Sequence, residues 1–74
     1  MNILEPIIGQ MWSFSSHGEI QEIVLLTRLD DCNDHLWGIL LFQSNESFNH
    51  LIGHEVGTDR PSAMASSKYW SRIA

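Results

Sequence analysis

This 74-residue chain has one cysteine, two prolines, one tyrosine and only four Lys and Arg residues. Each scarcity excludes something. A lone Cys32 rules out an internal disulfide framework and fits a reducing compartment. No apolar run approaches the ~18 residues that a membrane span needs. The start, Met1-Asn2-Ile3-Leu4-Glu5-Pro6, lacks the basic and long apolar regions of a secretory signal. A cytoplasmic protein without membrane contact is therefore expected. In that setting the Asn45-Glu46-Ser47 sequon meets no glycosylation machinery. The shortage of cations matters most. Nucleic-acid binding draws on clustered Lys and Arg that release phosphate counterions. Here nine acids oppose four bases, with a net charge of −5. Direct nucleic-acid binding is not expected.

What is present is apolar. The hydrophobic fraction is 43%, with three Trp and three Phe, too high for a disordered chain. The length suits one domain over residues 1–74, close to the size at which a single core is barely sufficient. Charge is uneven along it. All nine acids lie before residue 60 with Arg28 as their only cation, whereas Arg60, Lys68 and Arg72 follow with no acid. The basic end can lie beside the acidic body and neutralise it, and the acidic surface can speed encounter with a basic partner.

Short segments punctuated by Gly, Asn, Asp, Ser and Pro favour an all-β chain. A first strand is predicted over Gln10 to Ser15, with Trp12 and Phe14 on one face. Ser16-His17-Gly18-Glu19 reads as a hairpin turn. A second strand runs from Ile20 to Leu29 and a third from Leu36 to Gln43, with an acidic turn over residues 30–35 between them. Gly38 marks a bulge or the close approach of a neighbouring strand. Phe48 to Val56 is read as a fourth strand, although Phe48, Leu51, Ile52 and Val56 also follow helical spacing behind Asn45 or Ser47. A short helical turn is expected near residues 61–67, and Lys68 to Ile73 reads as a last strand. The opening Gly9-Gln10-Met11-Trp12 and the close Tyr69-Trp70-Ser71-Arg72-Ile73 resemble, in pattern, those of SH3-like barrels. That resemblance implies a small, five-stranded, partly open barrel whose first strand pairs with its last. Such an architecture carries no function with it.

Catalytic chemistry finds little support. The turn offers Asp30, Asp31, Asn33 and Asp34 as hard oxygen ligands. An EF-hand needs Asp or Asn at positions 1, 3 and 5, Gly at 6 and Glu at 12, and no starting point satisfies this. Local hydrogen bonding explains these residues better. Four histidines, His17, His35, His50 and His54, raise the question of zinc, with Cys32 as a fifth candidate ligand. A structural site wants four converging N or S ligands, usually with paired Cys. The weaker alternative is therefore a metal or small-molecule domain built on His35, His50, His54 and Cys32. The carboxylates around Cys32 repel the negative charge that a thiolate nucleophile must carry. No Gly-x-Ser-x-Gly elbow or phosphate loop is present. No enzyme activity, catalytic residue or cofactor is expected.

The strongest signal is that both inner strands are apolar on both faces. Trp37, Ile39 and Leu41 alternate with Leu36, Gly38, Leu40 and Phe42, as Val24 and Leu26 do with Ile23 and Leu25. One set fills the core and the other leaves an apolar face needing a partner. Val24, Leu26, Trp37, Ile39 and Leu41 are taken as that contact set. The expected function is a small non-enzymatic interaction or regulatory module that binds a protein partner or forms a homodimer. An acidic inhibitor that mimics nucleic acid is a further alternative.

Overall fold

The computed structural model describes residues 5–74. Five antiparallel strands form one sheet: β1 (Met11–Ser16), β2 (Glu19–Asp30), β3 (His35–Gln43), β4 (Glu55–Gly57) and β5 (Trp70–Arg72), in the spatial order β4-β3-β2-β1-β5. The first strand pairs with the last, Phe14 opposite Trp70 and Trp12 opposite Arg72, as the barrel-like pattern implied. The sheet does not close, because β4 and β5 remain its two edges. The chain between them forms one short helix, α1 (Pro61–Ser66), with Pro61 in its first turn. No described helix is long and apolar enough to cross a membrane.

The turns follow from their residues. His17 and Gly18 both have positive φ, 54° and 78°, between the paired Ser16 and Glu19. Two consecutive positive values make the mirror-image turn whose twist matches a two-residue hairpin. The acidic turn is held by its own side chains. The Asp30 carboxylate accepts from the Cys32 backbone N–H at 3.1 Å and from the Asn33 side-chain amide at 3.0 Å. The first of these is an Asx turn, and it accounts for the acidic composition without a cation.

The core face carries Trp12, Val24, Leu26, Leu36 and Leu40, with Met64 of α1 plugged against them. Leu51, Val56 and Trp70 pack around this cluster. Gly38 is a close approach: a Cβ there lies 2.7 Å from the Leu25 carbonyl oxygen. Three irregularities modify simple alternation. Gln21 and Thr27 are unpaired residues on β2, and Leu41 is one on β3.

The fourth predicted strand is largely wrong. Residues Glu46–Leu51 form a 3-10 helix, and only Glu55–Gly57 are strand. Asn45 caps the helix, its side-chain oxygen accepting from Ser47 N at 3.0 Å. Gly53, with φ of 88°, reverses the chain after it. Local capping and a positive-φ glycine outweigh the β propensity of Phe48 and Ile52.

Candidate functional site

Two surfaces carry chemistry, one on each side of the sheet. The outer side is built from residues alternating with the core set. Register places Met11 opposite Leu25 and Leu25 opposite Ile39, with Ile23 opposite Phe42 in a second row. Ile73 extends the first row, its backbone N–H bonding the Met11 carbonyl. Leu41, the unpaired residue of the β3 bulge, and Phe42 are 42% and 41% exposed. Ile39 and Trp37 are half-buried on the same side.

The contact set expected from alternation is therefore corrected in part. Val24 and Leu26 are 0% and 1% exposed and belong to the core. They oppose Leu40 and Gly38, not Ile39 or Trp37. When both faces of a strand are apolar, alternation separates two sets but cannot say which faces inward. Leu25 and Ile23 take the outward places. Trp37, Ile39 and Leu41 remain on the outer side.

Trp37 is flanked rather than bare. The Arg28 guanidinium lies 4.9 Å from its ring centroid, and His35 meets it edge-on with centroids 5.8 Å apart. Arg28 also donates through Nε and Nη2 to the Glu55 carboxylate, at 2.9 Å for the Nη2 bond. That pairing raises the Arg28 pKa, and the hydrogen bond from Arg28 holds Glu55 below the usual carboxylate range. The Trp37 Nε1 is shielded from solvent and meets no acceptor among the described residues. A buried unsatisfied donor costs about 1–3 kcal/mol, so the ring's packing has to outweigh that penalty.

The histidine alternative is not supported by placement. His35 opens β3, His50 lies in the 3-10 helix, His54 precedes β4, and Cys32 is exposed in the acidic turn. Among the described residues no group of three or more His, Cys, Asp or Glu side chains converges to hold a metal. His17 forms the first hairpin turn, apart from the other three.

The second surface was not expected. On the core side of the sheet, a cleft of about 560 Å³ opens between the β1–β2 hairpin and the 3-10 helix. Phe14, Leu40, Phe48, Leu51 and Val56 form its apolar walls. Phe14 is braced by Tyr69 and Trp70, with ring centroids 5.8 and 5.2 Å away. Glu22 lines the cleft as its only carboxylate, beside the amides Gln21, Gln43 and Asn45. Register sets Glu22 on this side, opposite Phe14 on one neighbour and Gln43 on the other. Burial pushes the Glu22 pKa up, with no hydrogen bond or charge offsetting the shift. The only sequence hint was an acid directly before an apolar run, Glu22-Ile23-Val24-Leu25-Leu26.

The chain matches no family model, no curated protein and no solved structure.

Proposed function

We propose that this protein is a small non-enzymatic interaction module that self-associates through the outer face of its sheet. The observation that carries this reading is the scarcity of charge on that face among the described residues. Met11, Ile20, Ile23, Leu25, Ile39, Leu41 and Phe42 occupy its apolar positions. Ser13, Ser15 and Ser71 are its neutral polar neighbours. The charged residues at its border are Arg28, which pairs with Glu55, and Asp30, whose carboxylate is taken up by the acidic turn. In a chain of net charge −5, most of the acids thus lie elsewhere. A second copy can approach this face without like-charge repulsion, which an acidic contact surface would impose. Burial of such a face is favourable at about 25 cal/mol per Å² of apolar area. A two-fold pairing of identical faces is the commonest way to cover it.

A nucleic-acid mimic has less support. Asp30 is engaged in its turn and Glu55 is paired with Arg28. That leaves fewer free carboxylates to imitate a run of phosphates.

Size-exclusion chromatography with light scattering tests the reading. Wild type is expected at twice the 8.5 kDa chain mass. Ile39→Glu and Phe42→Glu are expected as folded monomers, with native circular dichroism. A monomeric wild type at high concentration, or two charge variants that stay dimeric, overturns it.

A further inference from the structure

The geometry points to the cleft beside Glu22 as a binding site for a small organic ammonium ion that carries an apolar group. Its volume, about 560 Å³, falls within the roughly 300–1,000 Å³ of small-molecule sites. One part of its wall is apolar and partly aromatic, with Phe14 held in place by Tyr69 and Trp70 and Phe48 on the 3-10 helix. Gln21, Gln43 and Asn45 line the rest beside Glu22. Within this apolar setting the single carboxylate, Glu22, makes no ion pair among the described residues. No Lys or Arg lines the cleft, and His17 is the only other titratable group at its edge.

These features select the sign and the shape of the occupant. A half-buried carboxylate has lost part of its hydration without gaining a partner, so an incoming cation regains energy that a neutral ligand does not. Aromatic faces add to the attraction for an ammonium group through their quadrupoles. An anion meets Glu22 and a net charge of −5, and is repelled. The apolar walls need a hydrocarbon body on the cation, because a bare metal ion leaves them uncovered and finds too few ligands.

The surface lies on the opposite side of the sheet from the proposed self-association face, so each reading can fail without the other. The test is a titration of the full-length protein with 2-phenylethylammonium, followed by backbone amide chemical shifts. The neutral 2-phenylethanol and the anionic 3-phenylpropionate serve as matched probes. Shifts are expected at Phe14, Glu22, Leu51 and Val56, with the ammonium binding at least about tenfold more tightly than the alcohol and the anion not binding. Glu22→Gln is expected to weaken ammonium binding by about tenfold and to bring it level with the alcohol. Phe48→Ala, at a position 47% exposed and so safe for folding, is expected to weaken both probes. Equal binding of ammonium and alcohol, an unaffected Glu22→Gln variant, or shifts confined to other surfaces overturns the proposal. So does an ammonium group that binds only when presented on a lysine-containing peptide, which makes this a peptide site.

Discussion

The Arg28 guanidinium covers the Trp37 ring at 4.9 Å while its nitrogens hold Glu55 across the edge of the sheet. One side chain thus ties β2 to β3 and β4 and screens the largest aromatic group of the outer face. Arg28→Ala is expected to uncover Trp37 and shift its fluorescence to the red. It also removes the main cause that lowers the Glu55 pKa, which is expected to rise. Unchanged emission speaks against the cover.

Glu22 makes the opposite contribution from Glu55. A carboxyl whose folded pKa is raised favours folding most when protonated, so its contribution is lost as pH rises from the ordinary 4.5 through the folded value. Glu22→Gln is therefore expected to be more stable than wild type at neutral pH. The difference is expected to vanish below the ordinary glutamate value. Glu55 and Asp30 have lowered values, so their contributions are present above the ordinary carboxylate range and fade as pH falls through the folded values. Urea unfolding across pH separates the two signs, and a Glu22→Gln gain that persists in acid contradicts the assignment.

Met64 is the only residue of α1 that is fully buried. Truncating a buried Met to Ala costs about 2–5 kcal/mol. Whole-domain stability at this length is of the same order, at about 0.05–0.15 kcal/mol per residue. Met64→Ala is expected to unfold much of the population at room temperature, and Met64→Leu to cost less than about 1.5 kcal/mol. Thermal unfolding followed by circular dichroism measures both, and a well-folded Met64→Ala shows that α1 does not complete the core.

Gly38 leaves no room for a methyl group, because the atom it would meet, the Leu25 carbonyl oxygen at 2.7 Å, is backbone and cannot rotate away. Gly38→Ala is expected to lose about 1–3 kcal/mol, as overpacking does elsewhere. The denaturation midpoint in urea reads this, and an unchanged midpoint removes the proposed clash.

The proposed dimer is expected to be insensitive to salt. Its proposed face is mainly apolar, and screening acts on charges. Sedimentation at low and high ionic strength checks this. A dissociation constant that moves steeply with salt assigns the contact to the acidic surface instead.

Much of the sheet was legible in local residue order. The strand boundaries of β1, β2 and β3 fall within a residue or so of those read from alternation and turn residues. Asp30 and Asn33 behave as their turn chemistry requires. The region after Phe42 was not legible, because an Asn cap and Gly53 override apolar spacing that fits either helix or strand. The choice of inward face was also hidden. Val24 and Leu25 are equally apolar, and only the packing of Trp12 and Met64 against one side selects Val24 for the core. The bulges at Thr27 and Leu41 then change which residues line up. Glu22 became a site only when β1, β2, β3 and the 3-10 helix met around it.

By itself the amino-acid order determined that two central strands are apolar on both faces, joined by a self-bonded acidic turn, and that few cations are available. Those properties reside in neighbouring residues and need no distant contact. Tertiary structure alone decided which face is core, where the exposed apolar surface lies, and that a lone carboxylate stands in a half-apolar cleft. Each of these depends on which strands and helices pack together, and burial is a property of that packing rather than of any single residue.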